Sequence, residues 1–291
     1  MPTRLLDLPS ELLFEIIGLI TACPYPSIPS GKRYRPTRLQ SRAVICFPAK
    51  DPVSRRSIRN LELSCRRLQL EVNEYRKKAP SVFKLDIGIV DNHWILPYWR
   101  FIPIGHIRYS ISSLEINLIY CCTEEGRASS NTSSPAGATE MEILKVISHF
   151  LEHGFSTSSF ESSKSPGSHV DVRVEHIAIN MNTIIIRRSD QVVDEEDIPF
   201  RHIDGLAHLS FDQLYPVDVE SCEDHLGTLA HITNHALHSL QNALTIRERV
   251  DRITFSIDGH LKKDIDIAAR MLRSQEARIA EYRRHSIGSS S

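Results

Sequence analysis

The first twenty residues limit the fold of the N-terminal part most, because they combine a helix start with two apolar rows. Asp7 is placed to cap a helix, Pro9 suits its first turn, and Glu11 complements the positive end of its dipole. The rows lie at helical spacing on different sides of the axis: Leu8, Leu12 and Ile16 in one, Leu13, Ile17 and Ile20 in the other. This pattern predicts a helix that is either buried within its own domain or covered on one row by a partner.

A second helical pattern follows at residues 61–72, where Cys65 precedes the basic pair Arg66-Arg67 and Leu68. The two patterns are separated by residues 21–55, which contain several prolines: Pro24, Pro26, Pro29, Pro36, Pro48 and Pro52. Proline removes a backbone donor and restricts the residue before it, so a continuous helix across this stretch is excluded.

The run Leu8-Pro9-Ser10-Glu11-Leu12-Leu13-Phe14-Glu15-Ile16 resembles the opening of an F-box, and residues 61–72 resemble the later F-box helices. Residues 83–103, with Trp94 and Trp99, are similar to the segment after the F-box in uncharacterised fungal F-box-like proteins. The resemblance covers residues 1–120 and implies a small helical module that docks onto the Skp adaptor of a cullin-type ubiquitin ligase.

Carried over residue by residue, the resemblance implies docking through a set of mostly aliphatic side chains in the two patterns: Leu8, Pro9, Leu12, Leu13, Ile16, Ile17, Cys65 and Leu68. The sequence departs from the family at residues 21–55, since the two halves of an F-box normally follow each other closely. Either this stretch bulges out as a long loop while the flanking helices pack together, or adaptor binding has been lost.

The N-terminal part of the chain, which contains the two helical patterns, is basic, and the remainder is acidic. Residues 1–78 carry 15 Lys and Arg against 7 Asp and Glu, whereas the remainder carries 20 against 29. The loop residues Lys32, Arg33, Arg35, Arg38 and Arg42 are either a solvated basic cluster or a surface that steers an acidic protein. Nucleic acid is an unlikely partner, because Tyr34 is the one stacking aromatic in the cluster.

We expect a helical module at 1–78 with a Pro-rich basic insertion at 21–55, an interaction domain at 79–285 and a disordered tail at 286–291.

The remainder alternates strand and helix patterns. Strand-like segments are Leu114–Leu118, Ile177–Met181, Leu206–Phe211 and Arg252–Ile257, and helical patterns occupy 140–153, 223–243 and 262–284. Such alternation predicts an α/β domain with a mostly parallel or mixed sheet, and an α+β class for the whole chain. A degenerate leucine-rich-repeat-like solenoid is one form of this array, although the strand spacing is irregular and the repeat asparagines are missing.

Motifs for catalysis are missing from the sequence. It contains no phosphate-binding Gly-rich loop, no nucleophile elbow and no dinucleotide fingerprint, so we expect a non-enzymatic protein without cofactors. One metal-like set occurs in a helical pattern: Cys222, His225, His231, His235 and His238. A hydrolytic zinc helix also needs a glutamate beside its first histidine, and Ile232 stands there, so we expect amphipathic-helix histidines rather than a zinc hydrolase.

The cellular setting is inferred from hydropathy and cysteine usage. No apolar run approaches the length of about 18 residues that a membrane span needs, and the capped, acidic start is unlike a signal peptide. The six cysteines are scattered, which favours reduced thiols over a disulfide framework. We therefore expect an intracellular protein, cytoplasmic or nuclear, without a membrane partner.

Together these patterns favour an F-box-type substrate-receptor adaptor that brings an unidentified target protein to a Skp/cullin ubiquitin ligase. The alternative is a non-enzymatic scaffold whose divergent F-box no longer binds the adaptor.

Overall fold

A computed structural model of the chain describes residues 8–21, 37–39, 42–44, 53–78, 81–103, 110–124, 126, 137–154, 172–183, 215–217, 219–238, 244–273, 275, 276 and 279. The helices in these ranges are α1 (Ser10–Thr21), α2 (Val53–Ser64), α3 (Arg66–Lys78), α4 (Ala138–His153), α5 (Val219–His238) and α6 (Leu244–Arg249), and residues 267–273 are also helical. The strands are β1 (Thr37–Leu39), β2 (Arg42–Val44), β3 (Val82–Val90), β4 (Trp94–Phe101), β5 (Ser110–Cys122), β6 (Arg173–Met181), β7 (Tyr215–Pro216), β8 (Val250–Ile257) and β9 (His260–Asp266).

The strands form one mixed sheet in the order β1-β2-β4-β3-β5-β6-β8-β9, with β7 paired to β5. Its centre, β3-β5-β6-β8, is parallel, while the hairpins β3–β4 and β8–β9 and the pairs β1–β2 and β5–β7 are antiparallel. Helix α4 lies in the connection from β5 to β6, and α5 and α6 lie in the connection from β6 to β8, as parallel pairing requires. The predicted mixture of helix and strand with a mixed sheet is therefore confirmed.

Strand register explains the core of the sheet. Three apolar rows cross the four parallel strands: Phe83, Leu114, Ile177 and Ile253; Leu85, Ile116, Ile179 and Phe255; Ile87, Leu118, Met181 and Ile257. All twelve side chains are buried, and they form one cluster with the inner faces of α4 and α5, including Ile147 and Leu229. Because successive strand residues point to opposite faces, the residues between them in sequence belong to the other face of the sheet.

Two aspartates at hairpin turns tie neighbouring parallel strands together in the same way. Asp91 follows β3, and its carboxylate accepts hydrogen bonds from the backbone N–H of Thr123 at 2.8 Å and from the Thr123 hydroxyl at 2.8 Å. Asp258 follows β8, and its carboxylate accepts the corresponding bonds from the N–H of Thr183, at 2.7 Å, and from its hydroxyl. The same pair of aspartate–threonine hydrogen bonds thus occurs just after the ends of β5 and β6.

Two sequence predictions need correction. The helix predicted at 262–284 is wrong over its first part, because His260–Asp266 is a strand paired antiparallel with β8, and helix begins only at residue 267. The turn between β8 and β9 is Asp258-Gly259, both with positive φ, which is a strong hairpin signal. The insertion predicted as loop at 21–55 contains β1, β2 and the start of α2.

Other predictions fall partly beyond the described ranges. The strand predicted at Leu206–Phe211 and the tail at 286–291 lie outside them, as do residues 239–243 of the helix predicted at 223–243. Within the described residues, no helix is long and apolar enough to cross a membrane.

Candidate functional site

Helices α1, α2 and α3 pack against one another, and Ile17 of the inner row of α1 forms a buried cluster with Val72 of α3. The side chains of Leu13 and Ile17 are only 1% exposed, and Leu68 and Val72 of α3 are also buried. Phe14 contributes an edge-on ring contact with Tyr75 of α3 at a centroid distance of 6.0 Å. One apolar row of α1 is therefore buried within the chain.

Polar contacts fix the start of α1 on α3. The Ser10 hydroxyl donates to the Glu71 carboxylate at 2.9 Å, and the Arg67 guanidinium donates to the Leu8 carbonyl at 3.3 Å. Cys65 lies between α2 and α3, where its sulfur accepts the N–H of Leu68 at 3.5 Å. This thiol therefore acts as the N-terminal cap of α3.

The outer row of α1 faces away from this core. Leu12 is 44% exposed and Leu19 is 73% exposed, and with the half-buried Ile16 they follow one another at spacings of four and three residues along one side of the helix. Exposed leucines also lie at the end of α2, at Leu63, and on α3, at Leu70. We call Leu12, Ile16 and Leu19 the outer stripe.

The eight residues predicted to dock an adaptor divide into two groups. Leu13, Ile17 and Leu68 are core residues of the three helices, and Cys65 is a cap. The remaining four lie on the outer side of α1 or at its start: Leu8, Pro9, Leu12 and Ile16. Sequence reasoning missed Leu19, although it continues the Leu12 row by a helical step. It also missed Leu63 and Leu70.

The face of the sheet opposite the apolar rows carries a row of polar residues. Asp86, Asn117, Asn180 and Ser256 are aligned in register across β3, β5, β6 and β8. The side-chain Nδ2 of Asn117 donates to the Asp86 carboxylate at 2.9 Å, and the side-chain Oδ1 of Asn180 accepts from the Ser256 hydroxyl and from the N–H of Gly259, both at 2.9 Å. Burial raises the pKa of Asp86, although the Asn117 hydrogen bond and the nearby Arg100 act in the opposite direction.

A second set of polar side chains lies on the same face. Lys84 of β3 pairs with Glu115 of β5 at 2.9 Å. His176 Nε2 lies 2.8 Å from the Thr254 hydroxyl, and burial, followed by the charge of Arg252, lowers its pKa. These side chains are thus ion-paired or hydrogen-bonded to partners on neighbouring strands.

The histidine-rich helix does not assemble a metal site in the described part of the chain, where no group of three or more potential ligands comes together. His225 Nδ1 lies 2.6 Å from the Glu140 carboxylate, and its ring stacks on Tyr120 at 4.5 Å. His231 and His235 are exposed, and the His238 side chain lies outside the described residues. Cys222 is a buried free thiol.

Comparison of the chain with protein-family models, with curated proteins and with solved structures finds no match. The basic cluster gives no further guidance, since Lys32, Arg33 and Arg35 lie outside the described residues and the side chains of Arg38 and Arg42 are not described.

Proposed function

We propose that this protein is a substrate-receptor adaptor of a Skp/cullin ubiquitin ligase, with α1–α3 as the module that docks onto the Skp adaptor. The observation that carries this proposal is the difference in burial between the two apolar rows of α1. Leu13 and Ile17 are buried, whereas Leu12 and Leu19 of the outer stripe, and Leu63 of α2, are exposed. Leucines on one side of a helix are the usual anchors of helix-in-groove binding.

Packing of the three helices supports a working module in spite of the insertion. α1 contacts both α2 and α3, so residues 22–52 separate these helices in sequence without separating them in space. Loop-closure entropy grows slowly with length, so a long connection costs a folded module little.

The outer stripe alone supplies too little binding energy for tight docking. Full burial of each leucine of the outer stripe contributes about 1.5–3 kcal/mol. Part of that gain offsets the loss of rotational and translational freedom on association, which is about 4–15 kcal/mol. The stripe alone is therefore too small for tight binding, and Leu8, Pro9, Leu63 and Leu70 are proposed to enlarge the same contact.

The α/β part is proposed to hold the target protein. Its parallel strands β3, β5, β6 and β8 lie side by side in chain order, and the cores of α4 and α5 cover one face, as in a short leucine-rich-repeat-like array. The opposite face is proposed to contact the target through its exposed charged residues, among them Lys84 and Glu115. Catalysis belongs to other subunits of the ligase, and the site of action is the cytoplasm or nucleus.

The experiment is a titration of the full chain with a fungal Skp adaptor, comparing the natural sequence with Leu12→Asp. A charged group on the outer stripe cannot be buried without a large desolvation cost, so affinity should fall about 30-fold or more. Leu272→Asp is the matched control, because Leu272 is an exposed helical leucine outside α1–α3, 58% exposed against 44% for Leu12. Equal affinity of Leu12→Asp and the natural chain would remove the proposed interface.

One observation favours a scaffold without adaptor binding as a second candidate. Strand β2 lies inside the insertion and pairs with β4 through Ala43 and Trp94, so the segment between α1 and α2 contributes a strand to the sheet. In that case the natural chain and both variants would fail to bind the adaptor in the same titration.

A further inference from the structure

The turn between β8 and β9 contains an Asp-Gly pair, a dipeptide that is prone to spontaneous rearrangement of its backbone. The glycine nitrogen attacks the carboxyl carbon of the aspartic acid side chain, a C–N bond closes a succinimide ring, and the carboxyl OH leaves with the amide hydrogen as water. Water then opens the ring, and opening at the former backbone carbonyl leaves isoaspartate, whose peptide bond runs through the side chain. Glycine favours ring closure because it has no Cβ to hinder the attack.

The geometry of this turn leaves the pair within reach of water. Asp258 and Gly259 are its two central residues, with φ values of 47° and 78°, and Ile257 pairs with His260 across it. Two positive φ values are characteristic of a type I′ turn. Gly259 and His260 are exposed, so burial does not prevent the rearrangement here.

Both oxygens of the Asp258 carboxyl group are held by Thr183, which follows β6. Oδ1 accepts the backbone N–H of Thr183 at 2.7 Å, and Oδ2 accepts its hydroxyl. Thr183 is only 3% exposed, so its two donors are shielded from water. Ring closure requires the carboxyl group to rotate and to lose one of its oxygens, so the contacts with Thr183 must break first.

The attacking nitrogen is held by a different residue. The N–H of Gly259 donates to Oδ1 of Asn180 in β6 at 2.9 Å, and the same oxygen accepts the Ser256 hydroxyl at 2.9 Å. The hydrogen that must leave in the reaction is therefore hydrogen-bonded in the folded chain. The two groups that would react are thus held apart by Asn180 and Thr183.

We infer that Asp258 is a latent isoaspartate site, and that Asn180 and Thr183 suppress the rearrangement in the folded chain. Isoaspartate then forms only when the turn separates from β6. The product adds a backbone atom to a two-residue turn, and turn length sets the register of a hairpin, so the Ile257–His260 pairing is lost in modified chains. This inference concerns the sheet and does not depend on adaptor docking.

The test is incubation of the full chain at neutral pH, folded and in urea, followed by peptide mapping with mass spectrometry that distinguishes isoaspartate from aspartate. A second Asp-Gly pair, Asp204-Gly205, is an internal reference, because both pairs should rearrange at similar rates in urea. In the folded chain Asp258 should rearrange at least about tenfold more slowly than in urea, since three hydrogen bonds, each worth a factor of about two to ten, must open.

Two variants release one reacting group each. Asn180→Ala removes the acceptor for the Gly259 N–H, and Thr183→Val removes the hydroxyl that donates to Asp258 while keeping the shape of the side chain. Each should accelerate isoaspartate formation at Asp258 in the folded chain about two- to tenfold, the factor expected for one hydrogen bond.

The other half of the sheet provides matched controls. Asn117 lies beside Asn180 in the β5–β6 register, and Thr123 makes the equivalent pair of contacts with Asp91. Asn117→Ala and Thr123→Val should therefore leave the rate at Asp258 unchanged. Amide exchange of β5 and β6 in every variant identifies any chain that has unfolded as a whole, and the comparison is made among the folded ones.

Three results would overturn the inference. The first is an equal rate at Asp258 in the folded chain and in urea. The second is an unchanged rate in both Asn180→Ala and Thr183→Val. The third is an equal acceleration by the control variants, because general loosening of the sheet would then be the cause.

Discussion

Adjacent leucines on α1 should respond in opposite ways to truncation. Leu12 and Leu13 are the same residue type in the same helical turn, yet Leu12 is 44% exposed and Leu13 is 1% exposed. Replacing either by alanine leaves helix propensity almost unchanged, because alanine and leucine are both strong helix formers. The difference between Leu12→Ala and Leu13→Ala therefore reports tertiary packing alone.

The expected magnitudes follow from burial. Leu13→Ala removes a buried side chain from the core formed with α3 and leaves a cavity, which costs about 2–5 kcal/mol. Leu12→Ala removes a side chain that is close to half exposed, so its effect on the same helices should stay below about 1 kcal/mol. For adaptor affinity the order reverses, because Leu12 is the residue proposed to enter the partner's groove.

Hydrogen exchange of the α1 and α3 amides is the appropriate assay, since the three helices and the sheet have separate cores and need not unfold together. The free energy of opening for these amides should fall by the stated amounts, and those of β5 and β6 should not change. Equal losses for both variants, or a larger loss for Leu12→Ala, would refute the assignment of inner and outer rows.

Two further predictions concern the sheet. Because Asp86 has a raised pKa, the folded state holds its proton more tightly than the unfolded state, so this group's contribution to stability is complete below the ordinary aspartate pKa and declines as pH rises toward the raised value. Urea unfolding of Asp86→Asn across that window should therefore depend less on pH than unfolding of the natural chain. The hydrogen bond from Arg252 lowers the pKa of the Asp264 carboxyl, so the stability that this group contributes is lost as pH falls, and Asp264→Asn should reduce that loss. Identical plots of stability against pH for the two variants would contradict the opposite signs of the two shifts. Gly259→Ala should destabilise by about 1 kcal/mol in thermal unfolding because its φ is 78°, whereas Gly227→Ala, within a helix with open space, should stabilise by a similar amount; a shared sign would refute the backbone argument.

Hydropathy periodicity was sufficient to predict the central elements. The alternation at Leu114–Leu118 and Ile177–Met181 lies within β5 and β6, and the row around Ile147 lies within α4. These segments have a single buried face, so the period in the sequence is also the period of burial. The burial of Leu13 and Ile17, four residues apart in α1, follows from the helical period in the same way.

Elements at the edges were harder to predict, for physical reasons. Strand β9 is an edge strand in which Lys262, Lys263 and Asp264 are exposed, so it lacks the alternation that reveals a buried face. Strands β1 and β2 are three residues long; β1 pairs with β2, and β2 pairs with β4, a long-range interaction that no local window contains. The exposure of Leu63 on α2 and Leu70 on α3 could not be linked to the outer stripe from the sequence, because residues on different helices do not share a sequence period.

Hydrogen–deuterium exchange of the full chain, with and without a Skp adaptor, tests adaptor docking most directly. The proposal predicts protection in α1, α2 and α3, centred on the turn that contains Leu12 and Ile16, with exchange in β5, β6 and β8 unchanged. A complex that protects the sheet instead, or a mixture that shows no protection at all, would contradict it.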